Sequence, residues 1–510
     1  MKKTIAFLIG VLMLTSVIGI APLGAASVEG HPFPEDQWGP LHFRIGGALE
    51  ATNPMIDFIT EKFNFTFEMV AVEGDKINML MVADDVPDFY SEHLGLGRFY
   101  EARADGYLKE LTDDILQWYP NVQGIIGDGM NAKSIKQAYD GYWSIPRFAD
   151  GATRATLVTW YILYRGDWAD ALGIPEPTNM YELADMARAF TFNDPDDNGV
   201  DDTYGVSGWF WGPLYYPWLN YDNWVLGEDG LWTPSIYTKE MRDALVFWNG
   251  LYKEGVIDPE FDKGSQADFF GTDKIGIYLY RFDEHGIRNN VINVFNPAHP
   301  GVDGLSAIRP LPVMSLDADS PKRAGQYQND TYSGVFSAKD CTDEMLHRIL
   351  SVYEWLYTDE GRDFVVYGFE GTDWQKTPEG KAESLLGDGV FLYEKYSSGD
   401  FFSLFSWDFA PATPRLVPLY DPRIIEISDA CKAAAIPHLY TKDNPLIEII
   451  ETPASLNFKP EFYEETFNRL IASDDAGAGF DEMMEMLRNV HGYDQMIKEK
   501  NETYQEMISR

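Results

Sequence analysis

Cysteine is nearly absent: Cys341 and Cys431 are the two in 510 residues. A disulfide framework is excluded, which leaves one bridge or two buried thiols. Basic residues are also scarce. Forty Lys and Arg face 81 Asp and Glu, a net charge of -41. Such a surface repels nucleic acid and anionic membranes, and disfavours a polyanionic ligand unless basic residues gather locally. It suits neutral solutes and metal cations. Short catalytic signatures are missing: no G-x-x-x-x-G-K-[ST], no G-x-G-x-x-G after a strand, no H-E-x-x-H and no G-x-S-x-G. Glycosidases survive that filter, because they carry no short signature. The eight histidines lack metal-ligand spacing. No internal repeat, low-complexity linker or composition break divides the chain, which suggests interleaved lobes rather than beads on a string.

The first residues read as an export signal over 1–26. Lys2 and Lys3 precede an apolar run, Ile5 to Ile20, and Gly24-Ala25-Ala26 forms a small-residue cleavage site. The run is short for a membrane span. No cysteine lies near the cleavage site, so a lipid anchor on Cys is not expected, and the mature chain should be soluble in the periplasm or its equivalent. About 484 residues remain, enough for two or three domains.

Period-2 and period-3.6 patterns alternate along the chain. Leu41–Ile45 and Phe65–Val70 read as strands around a helix with Met55, Ile56, Ile59 and Phe63 on one face, capped by Asn53 with Pro54 at its first position. This order implies an α/β layer with a parallel sheet. Val158–Tyr164 and Ile275–Tyr280 read as buried strands. Thr178, Thr238 and Thr342 each precede a helical stripe. The C-terminal part, from Glu461, is helical, with Met483, Met484, Met486 and Leu487 as its apolar side.

Two segments carry chemistry. Asp194-Pro195-Asp196-Asp197-Asn198-Gly199-Val200-Asp201-Asp202 spaces oxygen groups at positions 1, 3, 5 and 9 of a loop, with Gly199 at position 6. A Ca2+ loop needs that spacing, with the Val200 carbonyl at position 7. The Glu usual at position 12 is replaced by Gly205, so Asp202 must close the shell. The second segment, Trp209-Phe210-Trp211-Gly212-Pro213-Leu214-Tyr215-Tyr216-Pro217-Trp218, is the densest part of a chain that is 15% aromatic. It reads as a loop. Aromatic faces stack on the C–H faces of sugar rings, so Trp209 and Trp211 are candidate ligand contacts.

Several segments, in order, carry a resemblance. Tyr139-Asp140-Gly141-Tyr142-Trp143-Ser144-Ile145-Pro146 is similar to Y-D-G-K-x-Y-x-I-P. Ile162–Trp168, Leu172-Gly173 and Pro177-Thr178 are similar to L-x-x-R-x-D-W-x-x-x-L-G-x-x-x-P-T. The loop 194–205 is similar to D-P-D-G-N-G-x-x-D-x-Y-G, Leu251–Phe261 to L-Y-x-E-G-x-I-D-P-E-F, and Tyr367–Trp374 to Y-G-x-E-G-x-D-[YW]. The chain resembles the family 1 extracellular solute-binding proteins of ABC importers, in particular the long alginate- and oligosaccharide-binding, lipoprotein-like members.

The resemblance implies an α/β periplasmic-binding-protein fold of two interleaved lobes, with a hinge and a ligand cleft. Lobe one would take 27–158 and return over 332–372. Lobe two would take 159–331, with the Ca2+ loop at 194–205. Residues 373–510 would supply hinge-adjacent loops and C-terminal helices, mainly of lobe two. The implied ligands of a structural Ca2+ are Asp194, Asp196, Asn198, the Val200 carbonyl and Asp202; relatives often carry Glu where this chain has Thr203. The implied cleft residues are Glu92, His93, Trp143, Trp209, Trp211, Tyr280, Arg281, Trp374 and Trp407. The expected role is capture of a carbohydrate, a neutral oligosaccharide, by a non-enzymatic monomer that delivers it to ABC permease subunits. The competing reading is a secreted glycoside hydrolase or lyase, which needs two carboxylates across a sugar site.

Overall fold

The computed structural model describes residues 29–509 other than 48–52, 73–75, 93–101, 128–135, 137, 139–140, 147–159, 209, 211, 222, 264–265, 327–333, 387–389, 391, 397–400, 403, 406–408, 410, 417–420, 441–444 and 462. The strands of main interest are β1 (Leu41–Gly46), β2 (Phe65–Val70), β3 (Phe89–Glu92), β4 (Ser144–Pro146), β5 (Trp160–Arg165), β6 (Tyr204–Val206), β7 (Trp224–Leu226), β8 (Trp232–Pro234), β9 (Ile275–Arg281), β10 (Ile308–Leu311), β11 (Gly325–Gln326) and β12 (Gly334–Ser337). They build two principal sheets.

The first sheet has the order β2-β1-β3-β12-β4. β1 runs parallel to β2 and β3, and β12 is antiparallel to β3 and β4. Strand alternation turns Phe43 and Ile45 inward, where they meet helix α1 (Pro54–Lys62). Asn53 caps α1, accepting the Met55 and Ile56 N–H groups at 2.9 and 3.1 Å. Such a cap contributes about 1 kcal/mol.

The second sheet has the order β10-β5-β9-β6, with β5 antiparallel to both neighbours. Successive residues of β5 enter two different cores. Ile162 and Tyr164 pack under helices α2 (Met180–Phe192) and α3 (Lys239–Lys253); Tyr161 and Leu163 pack with Tyr278, Ile287 and Ile308 on the other face. Burial on both faces explains why this strand reads as a continuous apolar run.

Later segments return to both sheets. Helix α4 (Asp343–Leu356) and Phe401, Phe402 and Phe405 complete the first core. Helix α5 (Pro422–Ala435) covers the second sheet, while α6 (Tyr463–Ile471), α7 (Ala476–Asn489) and α8 (Tyr493–Ile508) pack around α3. Cys341 lies in the first core and Cys431 beneath the second sheet; both are buried free thiols.

Three sequence expectations change in detail. Asn179, not Thr178, caps α2, accepting from Tyr181 and Glu182 N–H; Thr178 instead donates to Glu182. Thr238 sits at the start of α3 but spends its hydroxyl on the Ser235 carbonyl. On α7 the buried face is Phe480, Met484 and Leu487, a spacing of four and three, so Met486 falls outside it and is 57% exposed.

A buried polar chain pins the N-terminal segment to the first core. His31 Nδ1 accepts the Phe33 N–H at 3.1 Å, so the proton rests on Nε2, which lies 3.0 Å from the Tyr119 hydroxyl. That hydroxyl is 2.8 Å from His347 Nδ1 and 2.9 Å from the His347 carbonyl. Burial, then His31, pushes His347 down from 6.5 to about 4; burial also lowers His31. Asp343 opposes the shift in His347 and Lys109 adds to it. The unfolded chain therefore takes up protons at about pH 6.5, and the folded state does so only nearer pH 4. Stability is complete above pH 6.5 and falls through that window, by on the order of 3 kcal/mol for His347. Denaturation midpoints between pH 7.5 and 4.5 measure this fall. His347→Gln should flatten the acid limb; an unchanged limb in that variant would rule the mechanism out.

Candidate functional site

In open α/β sheets ligands bind outside the carboxyl ends of the strands. The first sheet presents Gly46, Glu92, Pro146 and Gly334 along one such edge, fixed by the pairings Gly334↔Glu92 and Gly334↔Pro146. In the second sheet the matching edge holds Trp160, opposite Arg281, and Leu311, opposite Ile162. β6 runs parallel to β9 toward this edge, pairing Val206 with Ile277, and Ser207 N–H continues to the Ile277 carbonyl at 3.2 Å. The chain leaves the first edge at Pro146 and enters the second at Trp160. These two edges are the candidate binding site.

The second edge carries aromatic rings. Tyr280 lies 5.3 Å from Trp160 and 5.5 Å from Phe270, ring centre to ring centre. Arg281 follows on β9 and is neutralised by Asp283, which also caps the next helical turn. A crevice opens beside Trp160, lined by Tyr161, Pro213, Tyr216, Pro312 and Arg323. Tyr216 is held tightly: a Cβ on Gly212 or Gly325 would come within 2.9 or 2.8 Å of it. Both glycines have positive φ, and neither position has room for a side chain. Phe210 anchors the aromatic run by packing against Trp248 and Phe261, at 4.9 and 5.1 Å.

Other sequence-derived candidates fall elsewhere. Trp143 precedes β4 and is half-buried, with the Arg103 guanidinium 5.3 Å above its ring. Arg103 pairs in turn with Glu451 at 2.7 Å. Trp374 is a correction. It is buried in a small cluster with Tyr367, and its indole N–H donates to the Gly368 carbonyl at 3.2 Å. Packing consumes its faces and its donor, so it offers no ligand surface. His93, Trp209, Trp211 and Trp407 lie outside the described residues, as does the side chain of Glu92, whose backbone ends β3. Sequence reasoning missed Arg323, which sits in a Pro-Lys-Arg-Ala stretch without any pattern to mark it. A larger open groove of about 1000 Å³ lies away from this edge, between the β7–β8 hairpin and α7 and α8.

The loop 194–205 folds back on itself. Asp194 Oδ1 accepts the Asn198 N–H at 3.1 Å, and Oδ2 accepts the Gly199 N–H at 3.0 Å. The Asn198 amide donates to Asp196 Oδ2 at 2.7 Å and to Asp202 Oδ1 at 3.3 Å. Asn198 Oδ1 accepts from Val200 N–H at 2.6 Å. Asp196 and Asp202 thus share the Asn198 side-chain amide, while Asp194 accepts the backbone N–H groups of Asn198 and Gly199. Asp196 Oδ1 is buried without a hydrogen-bond partner. Burial, then neighbouring Asp194, raises the Asp196 carboxyl above its ordinary value. This is a place short of positive charge. Three carboxylates and an amide oxygen fit a hard cation in kind. Among the described residues, no group of three or more His, Cys, Asp or Glu is gathered as a metal site, so the loop would depend on Asn198 and the Val200 carbonyl for a full shell. Position 12 cannot help. A Cβ on Gly205 would come within 2.3 Å of the Ala187 carbonyl of α2. Thr203 is buried, with its hydroxyl on the Phe190 carbonyl at 2.7 Å.

The chain matches no protein-family model. It is 24% identical over 398 residues to the polygalacturonan/rhamnogalacturonan-binding protein YtcQ of Bacillus subtilis (strain 168), covering 74% of each chain. Among solved structures it is similar to the Streptococcus pneumoniae ABC-transporter substrate-binding protein FusA in complex with kestose. The TM-score is 0.64 at 15% identity, over 92% of this chain and 100% of that one. It is equally similar to the alginate-binding protein AlgQ2 without calcium ion, with a TM-score of 0.64 at 15% identity over 91% and 98% of the two chains. The fold is therefore the two-lobed α/β fold of these binding proteins.

Proposed function

We infer that this chain is an extracellular solute-binding protein of the ABC-importer type and that it captures a carbohydrate. One observation carries the reading. The second sheet places Trp160 and Tyr280 at the edge where the chain crosses between sheets, with a rigidly held Tyr216 alongside. Fixed aromatic faces at a strand-end cleft suit sugar rings. The similarity to YtcQ supports the ligand class, since that protein is named for binding polygalacturonan and rhamnogalacturonan. An oligosaccharide, rather than a single sugar, agrees with a long edge bearing several rings.

We assign lobe one to 27–158 and 332–372, and lobe two to 159–331 with much of 373–510. The first and second sheets draw their strands largely in this order. Closure of the lobes on ligand would present a surface to membrane permease subunits. Among the described residues no helix is long and apolar enough to cross a membrane. The loop 194–205 we read as a structural Ca2+ site, on the orphaned Asp196 oxygen and on Asp196 and Asp202 sharing the Asn198 amide. When bound, the ion would supply the missing positive charge; Asp194, Asp196, Asn198, Val200 and Asp202 would hold it.

Thermal shift and calorimetry against an oligosaccharide panel test the reading. At a ligand concentration 100-fold above Kd, binding adds about 2.7 kcal/mol to stability. A melting temperature indifferent to every carbohydrate, but raised by a peptide, would sink it. Release of reducing ends from polysaccharide would favour the hydrolase or lyase instead.

A further inference from the structure

Arg323 is an anomaly in this chain. Acidic groups outnumber basic ones two to one, and most guanidiniums are claimed. Arg165 pairs with Asp167 and Asp273, Arg309 with Asp170, and Arg423 with Asp303 and Asp421. At the cleft edge itself Arg281 is taken by Asp283. Arg323 is half-buried, yet among the described residues its guanidinium makes no hydrogen bond or ion pair. Burial works against its charge, and Tyr440 and Glu240 compensate only in part. A desolvated charge without a partner is costly, and such groups are held where a ligand completes them.

Its surroundings define that ligand. Arg323 lines the crevice with Trp160, Tyr161 and Tyr216. The enclosed part is only about 10 Å³, enough for one water-sized group and far too small for a sugar ring. Tyr216 is clamped between Gly212 and Gly325, and Tyr440 meets it edge-on at 5.9 Å. The backbone that carries Arg323 is braced as well: it exchanges two hydrogen bonds with Met314, at 3.0 and 2.8 Å, and the Ala324 N–H reaches the His438 carbonyl at 3.2 Å. The site is thus a small basic recess beside fixed rings.

We propose that Arg323 anchors a carboxylate on the bound sugar, so that the ligand is an acidic oligosaccharide carrying a uronate unit. The carboxylate meets Arg323 at the mouth of the crevice, since the recess behind it has room for only one water-sized group, and the sugar ring lies outside beside Trp160 or Tyr216. A guanidinium fork matches a carboxylate in two parallel hydrogen bonds, which a neutral hydroxymethyl group cannot reproduce. The global charge of -41 opposes a long polyanion. A single contact at Arg323 overcomes that repulsion locally, so short acidic oligomers should bind best. This proposal rests on the carbohydrate reading above.

The test is calorimetry of the full chain with oligogalacturonides of three to five units, their methyl esters and a neutral oligosaccharide of equal length. The ester keeps the shape and removes the charge. Wild type should bind the acid at least about 30-fold tighter than its ester, the loss typical when a buried charge pair is left unmade. Arg323→Ala should abolish that preference by weakening the acid far more than the ester, and Arg323→Lys should restore part of it. Equal binding of acid and ester by wild type would overturn the proposal, even if Arg323→Ala failed to fold. Equal weakening of both ligands in Arg323→Ala would also overturn it, by showing a packing role. Failure of the acid to bind, while a neutral oligosaccharide of the panel above does, would overturn the proposal and keep the carbohydrate reading; failure of the whole panel would overturn the carbohydrate reading itself.

Discussion

Arg348→Met lowers the melting temperature by roughly 10 °C, the largest single-residue loss expected around the first sheet. Arg348 is 1% exposed. Its guanidinium donates to three carbonyls, those of Gly39, Phe63 and Asn64, at 3.2, 2.8 and 2.9 Å. Those carbonyls lie before β1 and between α1 and β2, so one side chain ties α4 to two connections of the first sheet. The guanidinium also stacks 4.4 Å above the Trp38 ring and meets Glu344 at 3.4 Å. Burial lowers its pKa, so the charge is held at a cost that these acceptors offset. Methionine fills the volume but leaves the acceptors without their donor. Removing one partner of such a buried charge costs about 3–5 kcal/mol, and each kcal/mol is worth about 2–4 °C in a domain of this size. Arg348→Lys should fall between, since all three carbonyl bonds come from Nη1 and an ammonium can replace them, but not the Nη2 contact with Glu344 or the planar stack on Trp38. Scanning calorimetry measures both variants. A shift below about 2 °C in Arg348→Met would refute this account, in which the guanidinium fixes the packing of α4.

Much of the scaffold was legible because periodicity reports burial directly. The alternation in Leu41–Ile45 and the stripe behind Asn53-Pro54 gave β1 and α1, with the cap in place. The unbroken apolar run before Tyr164 became β5, buried on both faces. The site was less legible, for a physical reason. Composition identifies rings that could stack on sugar, but not which faces packing has already used. Trp374 and Trp160 look alike in sequence; one is buried with its indole N–H on Gly368, the other stands half-buried at a sheet edge beside Tyr280. Arg281 and Arg323 differ in the same way. Asp283, two residues away, could have warned that Arg281 was satisfied. Nothing local marks Arg323, because its isolation depends on β10, β11 and the aromatic loop arriving from distant parts of the chain. Gly205 is a similar case. Its place at position 12 looked like a defect in a Ca2+ loop, whereas close packing under α2 forbids any side chain there.

Calcium should stabilise the protein, and Asp196→Asn should divide its effect in two. Without the ion, Asp194 and Asp196 crowd each other: Asp196 is raised by burial and by its neighbour, and its Oδ1 has no partner. Neutralising Asp196 relieves that repulsion, so the metal-free variant should melt at or slightly above the metal-free wild type. With calcium at 100 times Kd, wild type should gain about 2.7 kcal/mol, which a chelator reverses; the variant, lacking one anionic ligand, should gain much less. The curves therefore cross: the variant is the more stable protein in chelator and the less stable one in calcium. A purely structural role for Asp196 would lower both curves together. The same electrostatics fix the pH dependence. Because the Asp196 carboxyl titrates above the ordinary value of 3.8 in the metal-free loop, protons compete with the ion as pH falls toward that region, and the calcium-induced shift should shrink there. Differential scanning fluorimetry in calcium and in chelator, from pH 7.5 to 4.5, resolves all of these terms. Parallel curves for wild type and Asp196→Asn, or no calcium response in either, would remove the ion from this loop and leave Asn198 alone to hold its carboxylates together.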